Sequence, residues 1–525
     1  MADYEPLPRL SKESVRSFAL ESEIHEDGSW KDLLELPPRK TVSRWLEHPS
    51  RYAQLWLTPR LIRYISTFFL FFVPSFLKGS VAATKPAKAP NPHAIASLDG
   101  VRGFASFGVF VLHFSDTYCD QSVDRGFGFD ENNRWLFQLP FIRVLWSGPA
   151  LVSCFFIVSG YVLSNKPLKQ MRGRSDAPLL RTLSSAIVRR GIRLYLPTLG
   201  ATFIAMLLVR ALAFRYAHEV VAQGGVLRTT EDTPPYFFTF TEQFGHWWST
   251  VVGMTWLWRW GSESTIYDPH LWTIPAEFQG SMLLFFVLVG VSGLRAFPRM
   301  AFVTSFIGYC VYTGQHDTMC FFMGMLLAEL DLIIHPSPEA QPPLQQFATS
   351  YPEVSEKHSL RRGPKSYRRY AIIAVFIAGF FLMGIPKSNA EATPGYMTLM
   401  RIMPQPFHWG KIGCMLLVFS VRNSADVAVL FTNPFAQYLG KISYALYIVH
   451  GNVRRSLLYS IMPTVWYITG GQEGQWRYGA GMFLGLLVSW PVTFWCADVF
   501  WRGVDIPSVK FARWMEGKVR RREEN

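Results

Sequence analysis

The sequence predicts an all-α polytopic membrane protein, a bundle of about ten transmembrane helices with a polar cytosolic N-terminal tail. Hydrophobic residues make up 49% of the 525 residues and charged residues only 17%, against about 25% charged in soluble domains. Apolar blocks recur at a length that crosses a bilayer core of about 30 Å. Because lipid cannot satisfy exposed backbone groups, such blocks are expected to be helices.

Ten blocks are predicted to span the membrane, and each boundary is assigned to within several residues. They are residues 95–114, 144–165, 192–214, 271–290, 297–314, 316–334, 371–386, 408–421, 434–450 and 478–499. Segment 61–77 is short and broken by Pro74, so it is interpreted as interfacial or re-entrant. The Trp-rich segment 247–260 is typical of an interfacial belt and is left out of the count.

The distribution of basic residues predicts the topology. Loop 166–193 carries eight Lys and Arg and one acid, which places it in the cytosol by the positive-inside rule. The resulting organisation is a cytosolic tail at 1–92, a membrane domain at 93–500 with a cytosolic loop at about 335–370, and a basic cytosolic tail at 501–525. Both termini are predicted in the cytosol, and the membrane is an endomembrane or the plasma membrane.

The net charge of +14 would suggest nucleic-acid binding in a soluble protein. Here the basic residues cluster in loops, so the lipid bilayer is the expected partner and nucleic acid is not. The six cysteines form no C-x-x-C pair and mostly lie in apolar blocks, which favours buried free thiols. The twelve histidines show no metal-binding spacing, so no metal is expected.

The segment 97–114 places Asp99, Arg102 and His113 in an otherwise apolar span. Ionisable residues in a membrane are costly and by default indicate function. Arg102 and His113 are eleven residues apart, about three helical turns, so they share a helix face at a separation of roughly 16 Å. Asp99 can pair with Arg102 three residues later. A purely structural ion pair and a satisfied histidine remain the alternative.

Three further segments carry polar residues within or beside predicted spans. Ser159 and Gly160 are interpreted as small residues that allow close helix packing. Glu277 is a membrane-buried carboxylate that needs either a partner or a chemical role. The remaining residues, Trp272, Tyr444, Tyr447 and His450, are candidates for the substrate site.

The predicted topology sorts these residues into two zones. His113, Glu277 and His450 fall in the outer half of the membrane, where a His beside a carboxylate suits general-base work on a hydroxyl. Arg102 falls in the cytosolic half together with Arg190 and Arg193. Arginine clusters suit phosphates, so a phosphorylated acyl donor that enters from the cytosol would extend across both zones.

Together these segments resemble the acyltransferase 3 family of integral membrane O-acyltransferases. The matching residues are Leu98, Asp99, Gly100, Arg102, Gly103 and His113; Phe155, Phe156, Ser159 and Gly160; Arg190 and Arg193; Leu271, Trp272, Thr273 and Glu277; and Ser443, Tyr444, Tyr447 and His450. Order and spacing agree over about residues 93–500. The residues after Glu277 depart from many bacterial members and resemble the filamentous-fungal branch, which puts bacterial-type acceptors in doubt.

The resemblance implies acyl transfer from acyl-CoA, usually acetyl-CoA, to a hydroxyl of a carbohydrate, lipid or small metabolite. It also implies essential roles for Arg102 and His113. The mechanistic hypothesis has His113 as general base, Glu277 and His450 orienting or charge-balancing its imidazole, and Arg102, Arg190 and Arg193 binding the donor.

Three other functions remain open from the residues. They are a transporter or acyl exporter that uses the buried charges as a relay, a catalytically inactive scaffold or sensor, and a membrane acyltransferase of another family. No G-x-S-x-G element is present, which makes an acyl-enzyme intermediate less favoured. Oligomeric state and acceptor identity are not determined by the residues.

Overall fold

The computed structural model describes residues 70–75, 77, 94–118, 123–131, 133–174, 176–215, 233–256, 265–336 and 365–519. The chain divides into two units, Met1–Phe72 and Val73–Asn525. In the first unit only residues 70–72 are described, and they are helical. The predicted N-terminal tail, most of segment 61–77 and most of the predicted loop 335–370 therefore lie outside the described residues.

The described part of the second unit is helical. Its main helices are α1 (Ala94–Tyr118), α2 (Gly148–Arg172), α3 (Asp176–Arg210), α4 (Phe240–Met254), α5 (Thr273–Gly290), α6 (Ala296–Tyr312), α7 (His316–Ile334), α8 (Lys365–Met383), α9 (Pro406–Asn423), α10 (Pro434–Val453), α11 (Tyr459–Thr469), α12 (Gln475–Phe500) and α13 (Ile506–Val519). Shorter helical segments are Leu136–Gln138, Pro140–Arg143, Val144–Trp146, Pro269–Trp272, Ala390–Ala392, Met397–Ile402, Ala425–Thr432, Arg454–Leu458 and Trp501–Asp505. Within the described ranges no strand forms, and β pairing is limited to one isolated bridge between Thr265 and Asp268. The all-α class is confirmed, and each of the ten predicted spans coincides with a helix.

Length and apolar composition qualify fewer of these helices as membrane spans. Among the described residues, four pass both criteria: Gly148–Arg172, Ala177–Arg210, Pro269–Gly290 and Trp476–Val519. A fifth candidate is Pro406–Asn423 with Ala425–Thr432, which bend by 102° at their junction. Helix α6, with 17 residues, falls short of the roughly 20 that a span needs. The protein therefore has several membrane-length helices, while the count of ten stays a prediction.

Glycines allow the closest helix contacts. Helix α1 packs along α10, and α2 packs along α7. A Cβ atom on Gly103 would clash with the backbone nitrogen of Gly440, and one on Gly160 would clash with the carbonyl oxygen of Phe321. Small residues of this kind let helix backbones approach closely in membranes. The packing role predicted for Gly160 is therefore confirmed.

Two other segments refine the sequence predictions. The Trp-rich segment contributes to α4, whose first turn is capped reciprocally by Thr239 and Glu242, and residues 257–264 lie outside the described part. Helix α12 continues through a π-helical turn into α13, so the described part of the predicted C-terminal tail is helical. The predicted free thiols are confirmed at Cys154, Cys310, Cys320, Cys414 and Cys496.

Candidate active site

A cavity of about 710 Å³ lies where several helix ends meet. The C-terminal parts of α1 and α10 contribute His113 and Tyr447, and the turn before α5 contributes Trp272. The lining also includes His316 at the start of α7 and Lys411 in α9. The predicted candidates His113, Trp272 and Tyr447 therefore share one cavity.

Three histidines meet at one side of this cavity. The ring centroid of His113 lies 3.9 Å from that of His270 and 5.3 Å from that of His450. The centroids of His270 and His450 are 5.0 Å apart. His113 is half-buried and lines the cavity, whereas His270 and His450 are buried. The structure thus brings together two predicted histidines and adds His270.

The backbone sets the tautomer of His450. Its Nδ1 lies 2.7 Å from the carbonyl oxygen of Tyr447, so Nδ1 carries the proton and donates to that oxygen. Nε2 then carries the lone pair. Nε2 is buried and has no hydrogen-bond partner in the described part of the chain. A buried unsatisfied acceptor beside a ligand-sized cavity is a feature of functional sites.

The second added group is a carboxylate, Asp268. Its Oδ1 lies 3.0 Å from Nδ1 of His270 and accepts from the backbone nitrogen of the same residue at 3.2 Å. Burial raises the pKa of Asp268, but the hydrogen bond from His270 and the surrounding basic groups, Arg455 among them, outweigh burial and lower this pKa below its usual range. The carboxylate therefore stays ionised while fully buried.

Arg454 and Arg455, which begin the π-helical turn after α10, hold this region together. Arg454 Nη1 donates to the carbonyl oxygen of His113 and to Thr117 Oγ1, both at 3.0 Å. Its Nη2 lies 3.3 Å from Nε2 of His270. Arg455 donates to the carbonyl oxygens of the turn before Asp268. The sequence analysis did not identify either arginine, because both follow the end of the predicted span 434–450 and resemble ordinary basic loop residues.

The histidine spacing raises the question of a metal. One ring nitrogen from each of His113, His270 and His450 lies within 4.8 Å of the others. Both nitrogens of His270, however, already face partners, Asp268 on one side and the guanidinium of Arg454 on the other. Each ring nitrogen has one proton or one lone pair. We therefore interpret the trio as a cluster of imidazoles in ring contact with one another, and the expected absence of a metal stays a prediction.

Two predicted tyrosines differ in position. Tyr447 donates its hydroxyl hydrogen to the carbonyl oxygen of His270 at 2.9 Å and accepts from Thr273 Oγ1 at 2.8 Å. Tyr444 instead donates to the carbonyl oxygen of Leu194 at 2.6 Å and does not line the cavity. Tyr447 therefore belongs to the histidine cluster, whereas Tyr444 ties α10 to α3.

Glu277 lies elsewhere than predicted. Its Oε1 accepts hydrogen bonds from Arg190 and, at 2.5 Å, from Ser159 Oγ. Arg190 also donates to Ser281 Oγ at 2.9 Å. Asp268 is the carboxylate found hydrogen-bonded to the histidines, and a role of Glu277 toward the His113 ring stays a prediction. Ser159 also does more than pack, because it holds this ion pair.

Arg102 lies apart from His113 as well. Its Nη1 is 3.7 Å from Asp99 Oδ1, with side chains 33% and 47% exposed respectively. Neither residue lines the cavity that His113 lines. Arg193 is exposed and lies within electrostatic range of Arg102 and Arg190. The shared helix face predicted for Arg102 and His113 thus does not place them in one cavity, and the arginines form a separate basic group.

The part of the cavity lining that contains Lys411 and His316 is polar. Lys411 is 5% exposed, and its Nζ lies 3.8 Å from Asp317 Oδ1. Nε2 of His408 lies 3.2 Å from Nδ1 of His316, and Nδ1 of His408 is buried without a partner in the described residues. A molecule bound in the cavity that His113 lines would therefore also meet hydrogen-bond donors and acceptors from α7 and α9.

These features define a class: an all-helical membrane protein with a polar, histidine-lined cavity among its helix ends. The chain matches the acyltransferase domain of the acyltransferase 3 family over residues 95–494. It belongs to that family, as its motifs suggested, and it is an acyltransferase.

Curated relatives support this membership. The chain is 29% identical over 466 residues to the O-acetyltransferase PaAT-1 of Phomopsis amygdali, covering 82% of this chain and 86% of that protein. It is 24% identical over 471 residues to the acyltransferase clz18 of Cochliobolus lunatus, covering 82% of this chain and 95% of that protein. No solved structure matches the chain.

Proposed function

We propose that the protein transfers an acyl group, acetyl in the first instance, from acyl-CoA to a hydroxyl of a small metabolite. The observation that carries this proposal is His113, which lines a ligand-sized cavity and has two further histidines behind it. Membership of an acyltransferase family supports the reaction class over a transporter or scaffold. The similarity to PaAT-1, an O-acetyltransferase, supports the acetyl group and the hydroxyl acceptor.

The size of the cavity supports a small acceptor. Pockets for small molecules measure about 300–1,000 Å³, and this cavity measures about 710 Å³. Its walls combine Trp272 and Tyr447 with the polar groups of Lys411 and His316. That composition suits a metabolite with an apolar body and several oxygens better than it suits a long polysaccharide or an acyl chain.

The arginine group is proposed as the donor site. Arg102, Arg190 and Arg193 are the candidates; the side chain of Arg102 is 33% exposed and Arg193 is exposed. Guanidinium groups bind phosphates, such as those of CoA, through charge-assisted hydrogen bonds. Glu277 would then act on the donor side, because its carboxylate fixes Arg190.

The chemistry is a direct transfer. His113 accepts the proton of the acceptor hydroxyl, whose oxygen attacks the thioester carbonyl carbon. The carbon–sulfur bond breaks, and the CoA thiolate leaves and takes the proton from the imidazolium. The products are the ester and CoA with a free thiol.

The proposed setting is a multi-pass protein of an endomembrane or the plasma membrane, with both termini in the cytosol. The bilayer is the proposed environment, and nucleic acid has no proposed role. The cavity lies at the end of α1 from which loop 115–143 leaves, which the charge pattern predicts outside the cytosol. The donor would thus enter on the cytosolic side and the acceptor from the opposite side.

His113→Ala tests the proposal. Membranes that contain the protein are incubated with radiolabelled acetyl-CoA and an extract of a strain lacking the gene, which supplies the acceptor. A general base contributes about 10²–10⁴-fold, so we expect label transfer to fall by at least ~100-fold, with an unchanged unfolding temperature in detergent. His335→Ala is the matched control, since this histidine is half exposed and pairs only with Asp331 among the contacts described for its ring.

Near-normal transfer by a folded His113→Ala protein would remove this residue from the mechanism. Wild-type protein that transfers no label from acetyl-CoA to any component of the extract would contradict the acetyl donor.

A further inference from the structure

The region around His270 contains a buried carboxylate, Asp268, and two buried guanidinium groups, those of Arg454 and Arg455. Asp268, His270 and Arg454 are 0%, 4% and 3% exposed respectively. They come from two distant stretches of the chain, the turn before α5 and the π-helical turn after α10. Burying opposite charges together costs solvation energy that only good geometry offsets, so their presence calls for a physical reason.

The contacts form a chain that ends at the candidate base. Asp268 Oδ1 accepts from Nδ1 of His270 at 3.0 Å, so Nδ1 carries the proton. The ring of His270 then lies edge-on against the ring of His113, with centroids 3.9 Å apart. The other oxygen of Asp268, Oδ2, is buried without a partner in the described residues. One oxygen of this carboxylate therefore serves the histidine cluster, and the other stays unpaired among the described residues.

The reaction creates a charge that this arrangement must accommodate. When His113 takes a proton it becomes positive, close to Arg454, whose Nη1 is 3.0 Å from its carbonyl oxygen. Two cations in a buried site repel strongly, because the effective dielectric is low. Oε1 of Glu277 is instead hydrogen-bonded to Arg190 and Ser159. Asp268 is a carboxylate in direct hydrogen-bond contact with the histidine cluster.

We propose that Asp268, acting through His270, is the positioning and charge-balancing carboxylate for His113 during acyl transfer. The inference rests on the proposed function and names residues that the sequence motifs did not single out. Asp268 touches no substrate: it fixes the tautomer of His270 and offsets the positive charge on His113. The proton stays on His113 until the CoA thiolate accepts it, so no further reactant is needed.

The same geometry assigns Arg454 a holding role. It fixes the end of α1 through the carbonyl of His113 and through Thr117, and it faces Nε2 of His270. His270 is thereby held between a carboxylate and a guanidinium. Because both ring nitrogens are held, the imidazole of His270 keeps one orientation relative to His113. Fixed orientation of polar groups around the reacting atoms is the basis of electrostatic pre-organisation.

The test is Asp268→Asn, which keeps the size of the side chain and removes its charge. Turnover is measured against acetyl-CoA concentration, with the extract of the strain lacking the gene as the acceptor source. Replacing a carboxylate that orients a catalytic histidine has large effects on turnover. We expect kcat to fall roughly 100-fold or more, with the KM for acetyl-CoA changed less than about twofold. Asp268→Glu, which restores the charge, is expected to recover at least about tenfold of that loss.

Asp426→Asn is the matched control, because Asp426 forms an exposed ion pair with Arg369. His270→Gln is the second variant in case the first does not fold, since it removes the imidazole between Asp268 and His113. Turnover within about threefold of wild type in a folded Asp268→Asn or His270→Gln protein would overturn the inference.

The result separates the two proposals. If His113→Ala is inactive while Asp268→Asn is normal, the proposed function stands and only this inference fails. If kcat and KM change together and Asp268→Glu recovers nothing, Asp268 is structural, and the inference is again overturned.

Discussion

Helices α2 and α7 both start at the cavity and end at an ion-pair network, and the two ends satisfy their polar groups differently. At the cavity, Gly148 and His316 line the wall. About 20 Å further along α7, Glu329 accepts from Arg299 at 2.8 and 3.0 Å and from Arg172 at 2.6 Å. Both carboxylate oxygens of Glu329 are therefore paired.

The cavity end keeps buried polar atoms without partners among the described residues. They include Nε2 of His450, Oδ2 of Asp268 and Nδ1 of His408. An unsatisfied buried polar group costs about 1–3 kcal/mol. Ser164 Oγ and Gln170 Oε1, towards the network end of α2, are also buried without partners among the described residues, but no ligand-sized cavity lies beside them in the described part. The difference teaches that buried charge by itself does not identify the site. Buried polar atoms that lack hydrogen-bond partners and lie beside a ligand-sized cavity identify the site better.

The largest expected effect in this comparison is on stability, at the network. Glu329→Gln leaves Arg172 and Arg299 without a carboxylate, and removing one partner of a buried pair costs about 3–5 kcal/mol of the free energy of unfolding. Thermal unfolding in detergent measures this loss. Activity per folded molecule should be unchanged. A folded variant that has lost turnover instead would place Glu329 in the chemistry and break the comparison.

The next effect concerns helix packing. Gly103→Ala introduces a Cβ atom against the backbone of Gly440, and overpacking costs about 1–3 kcal/mol. Gly308→Ala in α6 is the control, because no atom lies within 4 Å of the added Cβ there. We expect the unfolding temperature to drop for the first variant and to stay or rise for the second. Equal behaviour would contradict the packing role of the motif glycine.

A smaller effect is expected at Lys411 in the cavity lining. Lys411→Met removes a buried cation, and hydrogen bonds to charged groups contribute about 1.5–3 kcal/mol. The KM for the acceptor in the extract should rise about tenfold while kcat changes little. Lys510→Met, at an exposed position of α13, should leave both constants at the wild-type value. An unaltered KM for Lys411→Met would exclude this part of the lining from acceptor binding.

The smallest effect distinguishes two tyrosines on α10. Each hydroxyl group makes hydrogen bonds worth about 1 kcal/mol. Tyr447→Phe removes the bond to the carbonyl of His270, so turnover should fall several-fold. Tyr444→Phe removes the bond to Leu194 and should lower the unfolding temperature slightly with turnover retained. The reverse pattern would show that the cluster does not depend on Tyr447.

The sequence predicted the helices well because apolar block length is a local property. Each of the ten blocks coincides with a helix, and the order of the family motifs identified the enzyme class. His113 and His450 were recognisable because an ionisable residue in an apolar segment is costly wherever the segment packs. These conclusions depend on neighbours along the chain.

Which charged side chains pair with each other could not be predicted from neighbouring positions in the sequence. Spacing put Arg102 and His113 on one helix face, and helical position suggested Glu277 as the partner of His113. In three dimensions Arg102 pairs with Asp99 and Glu277 with Arg190. Asp268 and His270, just before the Leu-Trp motif, showed no signal beyond two polar residues in a turn.

The sequence by itself determined an all-helical membrane acyltransferase with His113 as its candidate base, since burial of apolar blocks and the cost of intramembrane charge follow from composition. Tertiary structure alone decided which carboxylate meets which base. The residues involved are far apart in the chain, His113 on α1 and Arg454 after α10 with Asp268 between them, and only the packing of α1 against α10 brings them within contact distance.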